Sequence, residues 1–171
     1  MTSSTHTSGA SQTTGSTGST VAFRLEVAVL PVTDAARARD FYLGLGWRLD
    51  ADIDPGGGYH AVQVTPPGSN ASIILGTGVT TARPGAGGGL LLAVDDIEVA
   101  RAQLVSQGVA VSEIFHAAGG SLGGGFVADP ASRASGPDPE RRSYASYATF
   151  DDPDGNRWLL QEITQRLPGR V

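Results

Sequence analysis

Cysteine is absent from all 171 residues, which removes disulfide bridges, thiolate metal ligation and a cysteine nucleophile from consideration. The absence says nothing about redox compartment. Long apolar runs are missing as well. No stretch approaches the roughly 18 to 20 residues needed to cross a bilayer, so a soluble chain with no membrane partner is expected. Basic residues are sparse, twelve Lys plus Arg against seventeen Asp plus Glu, and they form no long block. With a net charge of −5, a surface that neutralises nucleic-acid phosphates is not expected. Nor does any glycine run lead into a helix start with Lys and Ser or Thr, so a phosphate-cradling loop is absent too.

What the chain does have is glycine, 24 copies, about twice the usual share of roughly 7 per cent. Forty per cent of the residues are hydrophobic, enough for a real interior, and the length suits one domain or two small modules sharing a core. Residues 1–20 are sixteen parts Ser, Thr or Gly, too poor in apolar surface to offset the entropy of ordering, and they predict a disordered tail that takes His6 with it. This tail lacks the basic start and apolar centre of a secretory signal, so a cytoplasmic protein is expected.

From residue 21 onward the pattern predicts alternating elements. AFRLEVAVLPV reads as a strand, and Asp34 stands at a helix N-cap. Ala35, Ala38, Phe41, Tyr42 and Leu45 then recur at helical spacing up to the Gly46 stop. WRLDADI, YHAVQVT and ASIILG follow as strands, the last two joined by the turn PPGSN. Sliding the sequence by 62 residues repeats the phrase: Val32 falls on Val94, Asp34 on Asp96, Ala38 on Ala100, Arg39 on Arg101 and Gly46 on Gly108. VAVSEIFH, YASYATFDD and NRWLLQEI complete the second copy, with DDPDGN matching TPPGSN at an offset of 87. The extra 25 residues predict an insertion within 117–143, either a lid over a site, anchored by Phe126 and Val127, or a surface excursion. Trp47 and Trp158 read as core, and the Arg37, Arg39 and Asp40 cluster as the water-facing side of the first helix.

A paired βαβββ unit with V-x-D opening each helix and DPDGNRWLLQE before the last strand resembles the vicinal oxygen chelate superfamily: glyoxalase, bleomycin resistance and extradiol dioxygenase proteins. The stretch LPVTDAARARDFYLGLGWRLD, with TPPGS and EITQRLPGR, is similar to an actinobacterial-type, glyoxalase-like branch. The resemblance spans about residues 22–166. It implies an α+β fold, two βαβββ modules forming a curved mixed sheet around a central cavity, with helices outside. Module one would be 22–78 and module two 87–166, within a domain of 21–171, and modules in such proteins pair within a chain or across a homodimer. In metal-dependent relatives, a histidine lies seven residues before the helix-capping Asp and a glutamate four residues after the Gly of the turn. Those spacings land on Val27, Gly89, Ser72 and Leu159, none of which is an imidazole, carboxylate or thiolate. No metal and no other cofactor is therefore expected.

Alternation along the strands puts Val27, Val29, Ser72, Ile74, Gly89, Leu91, Leu159 and Gln161 on the cavity face, a mainly apolar wall suited to a small organic molecule. The same alternation turns Glu26 and Glu162 away from it. His116, at a strand end beside the insertion, is the candidate acid or base for proton transfer, the alternative being a histidine bonded to backbone or water. Tyr147 is a second candidate catalytic group, related to His60 by the offset of 87. If Val62 and Val64 pack on the helices, His60 is excluded from the pocket and Gln63 points in. Arg141, Arg142 and Tyr144 either meet an anionic or carbonyl substrate or are solvated.

Three functions remain open at this point. The favoured one is an enzyme performing isomerisation, elimination or cyclisation on a small metabolite without a metal, His116 moving the proton and Gln161, Ser72 and Tyr147 orienting the substrate. The second is a protein that sequesters a drug or metabolite, and the third a metal-dependent lyase or dioxygenase with relocated ligands.

Overall fold

The computed structural model describes residues 21–119 and 129–168. The Ser/Thr/Gly tail and the Phe126 and Val127 anchors lie outside them. Both βαβββ modules are present, each with its own sheet. Module one consists of β1 (Val27–Pro31), α1 (Ala35–Gly44), β2 (Arg48–Gly56), β3 (Tyr59–Thr65) and β4 (Ser72–Thr77), in sheet order β1-β4-β3-β2. Module two consists of β5 (Leu90–Val94), α2 (Ile97–Ser106), β6 (Phe115–Ala117), β7 (Arg133–Ser135), β8 (Ser146–Asp151) and β9 (Arg157–Glu162), in order β5-β9-β8-β6-β7. In each sheet the first strand runs parallel to the last of its module, and the other pairings are antiparallel.

The repeated acidic residues open the two helices as expected. Asp34 accepts from Arg37 N at 2.9 Å, and Asp96 from Glu98 N and Val99 N at 2.9 and 3.0 Å, satisfying amides that a helix start leaves unpaired. Gly46 and Gly108 close them at φ of 82° and 84°, in the left-handed region where a side chain would be strained.

One core joins the modules. Ala35, Ala38 and Tyr42 of α1 pack on Leu30, Val62, Val64 and Leu75 of the first sheet, in the same cluster as Ile97, Phe150, Trp158 and Leu160 of module two. Trp47 and Trp158 meet edge to face at 5.3 Å, so both tryptophans are core as predicted. A polar clasp runs through this contact. Tyr42 donates to Asp152 Oδ2 at 3.0 Å and accepts from Trp158 Nε1 at 2.9 Å. Asn156 donates to Asp152 Oδ2 at 2.8 Å and Pro31 O at 3.3 Å, and accepts from Gly87 N at 2.9 Å. The DDPDGN turn thus fastens one module to the other.

Three expectations need correction. Part of the insertion is ordered into the sheet: Arg133–Ser135 forms β7, paired with β6, after a 3-10 turn at Pro130–Ser132. The strand expected over VAVSEIFH is only Phe115–Ala117, preceded by a single bridge from Val111 to Phe150. Arg141 and Arg142 are not simply solvated: each is committed to an internal carboxylate. Arg141 pairs with buried Glu162 at 2.9 Å and with Glu98 at 3.2 Å, and Arg142 forks onto buried Asp138 at 2.6 and 3.0 Å. Glu162 also accepts from Ile97 N at 3.2 Å, so its carboxylate anchors the start of α2 on the core side of β9.

Candidate functional site

With one face of the first sheet given to α1, the side chains of opposite parity form an open trough. Its rows follow from register. Val29 stands opposite Ile74, Ile74 opposite Gln63, and Gln63 opposite Ala51, crossing all four strands. One row further on, Pro31, Gly76, Ala61 and Ile53 stand in line, and Tyr59 and Val79 close that end. The trough encloses about 220 Å³, and its described lining comes from module one and from Val79 just after it. Among the described residues no charged side chain lines it, and Gln63 and the Tyr59 phenol are its polar groups. Gly76 is required here, because a β-carbon at that position would fall 2.5 Å from His60 O and 2.6 Å from Val79.

The row at the other end is polar and internally committed. Val27 is the register partner of Ser72, so two of the four inherited ligand positions face each other. Ser72 Oγ lies 2.7 Å from Thr65 Oγ1, which in turn donates to Asp50, and Arg48 holds Asp50 at 2.6 Å. Thr65 has one hydroxyl proton and gives it to the carboxylate. Ser72 must therefore give its own proton to Thr65. The Arg48 bond first, then the Thr65 bond, holds Asp50 below its ordinary carboxylate range, which keeps this polarity fixed. A valine and a committed serine do not fit a divalent cation. In module two the partner of Leu159 is Leu91 rather than Gly89, a two-residue departure from the turn-based offset that leaves both positions equally without donors. Among the described residues no group of three His, Asp or Glu side chains is placed to hold a metal ion.

The corresponding face of the second sheet is filled rather than open. Phe115, Tyr147 and Leu159, with Leu91, form a small cluster in which the two rings stand 5.7 Å apart and Arg133 lies 4.3 Å over Phe115. Tyr147 and Gln161 are register partners, and both donate to the Tyr144 carbonyl, Gln161 at 2.9 Å. Tyr144 and Arg141 have φ of 70° and 52°, a strained pair held between Asp138 and Glu162.

Both histidines of the described chain point elsewhere. His60 shares the parity of Val62 and bonds Asp52 at 2.7 Å, which Arg39 reaches from α1 at 2.7 Å. Arg39 and then His60 hold Asp52 below its usual range. His60 lines a separate hollow with Thr33, Asp34, Asp54 and Tyr59. The pseudo-symmetry expected between His60 and Tyr147 is offset by one residue: Ala61 pairs with Gly76 as Tyr147 does with Gln161, which puts His60 and Tyr147 on opposite faces. His116 pairs with Ser146, on the face away from Phe115 and Tyr147, and its Nδ1 lies 2.9 Å from Gly136 O. Of the sequence-derived site residues, Val29, Gln63 and Ile74 come together in the trough, with Val27 and Ser72 at its polar end. Leu91, Tyr147, Leu159 and Gln161 form a second group, Gly89 lies just before β5, and His60 and His116 belong to neither. Ala51, Ile53, Tyr59, Ala61 and Val79 are lining residues that the sequence reading missed. Alternation along WRLDADI would have found the first two, but a register shift after Leu49 obscured which parity faced inward.

Residues 24–160 match the model of the Glyoxalase/Bleomycin resistance protein/Dioxygenase superfamily. No curated protein sequence matches the chain. Among solved structures, TnmS3, an antibiotic binding protein from Streptomyces sp. CB03234, is 30% identical, with a TM-score of 0.61 over 85% of this chain and 99% of that one. A glyoxalase/bleomycin resistance protein from the same Streptomyces strain is 31% identical, with a TM-score of 0.57 over 81% of this chain and all of the other. A member of the superfamily from Sphaerobacter thermophilus DSM 20745, 24% identical with a TM-score of 0.54 over 83% of this chain and 98% of that one, shares the fold. The repeated modules, the DPDGN clasp and these matches agree: the chain belongs to the glyoxalase/bleomycin resistance protein/dioxygenase superfamily.

Proposed function

We propose that this protein binds and sequesters a small hydrophobic molecule, an antibiotic or a comparable metabolite, in the trough of the first sheet. The observation that carries this reading is the lining itself: an apolar surface with an amide and a phenol and, among the described residues, no histidine or carboxylate. Proton-transfer chemistry needs an acid or base within hydrogen-bond reach of the reacting atom, and His60 and His116 are both turned to other faces. The likeness to an antibiotic binding protein at 30% identity supports the same reading.

A second copy of the chain completes the site. The trough, at about 220 Å³, is smaller than the roughly 300 to 1,000 Å³ of pockets for drug-sized ligands, and it is open on one side. Val29, Ile53 and Tyr59 are 43, 55 and 41% exposed, and ahead of β1 the alternate residues Val21, Phe23 and Leu25 are exposed as well. Exposed apolar side chains of this kind are characteristic of an association surface. Sedimentation velocity is expected to give a dimer that Ile53→Glu dissociates; a wild-type monomer with full ligand affinity would contradict the second-copy arrangement. The binding function itself is tested by incubating the protein with a panel of aromatic antibiotics and weighing the ligand by mass spectrometry. Tight binding with the ligand recovered unchanged is expected. Multiple turnovers to a product of altered mass would refute it.

A further inference from the structure

We propose that Gln63 sets the ligand class of the trough, selecting neutral molecules that carry a hydroxyl or carbonyl over both hydrocarbons and cations. This inference rests on the trough being the binding site. Gln63 occupies the middle of the central row, between Ile74 on β4 and Ala51 on β2, with small Ala61 beside it on the same face. Among the described residues no side-chain hydrogen bond engages its amide, whereas the polar groups at the end of the trough are already committed to one another through Ser72, Thr65, Asp50 and Arg48. A carboxamide presents an acceptor oxygen and a donor NH₂ group, so it can meet a hydroxyl or a carbonyl equally well.

Charge selection follows from what surrounds that amide. The acidic surface, at net charge −5, draws cations toward the protein, but inside the trough a cation finds no carboxylate among the described residues. Asp52 is turned to the other face, where Arg39 and His60 hold it, and Asp50 is paired with Arg48. A charged ligand would lose hydration without recovering a partner there, while a neutral polar atom exchanges water for the amide. A hydrocarbon gains nothing from Gln63 and leaves the amide covered and unpaired.

Three naphthalene derivatives test this by equilibrium dialysis: naphthalene, 1-naphthol and 1-naphthylmethylammonium. The wild-type protein is expected to bind 1-naphthol about three- to tenfold more tightly than naphthalene, the worth of one neutral hydrogen bond, and the ammonium most weakly. Gln63→Leu, on a half-buried position of the trough, should abolish the preference for 1-naphthol while retaining naphthalene, and Gln63→Glu should invert the order in favour of the ammonium. Circular dichroism verifies that both variants are folded. If Gln63→Leu binds both neutral probes and keeps the 1-naphthol preference, the role of Gln63 is refuted and the binding site stands. If neither neutral probe binds the wild-type protein, or Ile74→Arg leaves their binding unchanged, the site itself is refuted, and the selection with it.

Discussion

Val27 and Ser72 stand opposite each other across β1 and β4, the two places in module one where metal-dependent relatives carry a histidine and a glutamate. Neighbouring strands lie about 4.8 Å apart, so donors at these two positions would reach one ion. Val27→His combined with Ser72→Glu is expected to create weak zinc binding, measurable by calorimetry, that neither single substitution gives. Stoichiometric, tight zinc binding by the unaltered protein would show that other residues rebuild the centre.

The clasp between modules is testable through one oxygen. Tyr42→Phe keeps the ring that packs 4.7 Å from Trp47, but removes the donor to Asp152 and the acceptor for Trp158 Nε1. Burial first, then the Asp152 charge, pushes the phenol far above its ordinary range, so it remains a donor throughout the accessible pH range. Leaving the buried Trp158 Nε1 unpaired, and Asp152 with one donor fewer beside Asn156, is expected to cost about 2 kcal/mol in urea unfolding. A change below about 0.5 kcal/mol would show that the clasp contributes little to stability.

Acid sensitivity should depend on Asp138. The Arg142 guanidinium holds this buried carboxylate well below its usual range, with the nearby His116 a smaller influence in the same direction. Because the folded-state pKa is depressed, the pair stabilises the fold above the unfolded value of about 3.9 and loses that contribution as pH falls below it. Unfolding midpoints followed from pH 5 down to pH 2 should therefore decline less steeply in Asp138→Asn than in the unaltered protein. Parallel declines would refute the assignment.

His116→Ala distinguishes binder from enzyme. Placed on the face of Ser146 and bonded to Gly136 O, this side chain is expected to leave antibiotic affinity unchanged within about twofold, near the scatter of substitutions away from a site. A turnover found in the unaltered protein and abolished in the variant would restore the proton-transfer reading.

The fold was largely legible because its signals are local. Asp34 and Asp96 before periodic apolar residues, and Gly46 and Gly108 after them, announce two helices through cap chemistry that needs no tertiary context. The site was only half legible. Period-two alternation put Val29 and Ile74 on one face, where the trough has them, and with Val62 and Val64 packed in the core beside α1, Gln63 rather than His60 lines it. Tyr147 was misjudged as the counterpart of His60 because a turn-based alignment carries a one-residue error into β3 and β8, and one residue reverses a face. The roles of Arg141 and Arg142 were not legible either, since their partners Glu162 and Asp138 become neighbours only when the end of the insertion folds back against β9 and α2.

Amide chemical-shift mapping during titration with an aromatic antibiotic that binds tests the central claim most directly. Binding in the trough predicts that the largest shifts fall on Val29, Gln63 and Ile74, with the ligand unchanged at the end of the titration. Shifts concentrated on His116, Ser146 and Gly136, accompanied by conversion of the ligand, would contradict it.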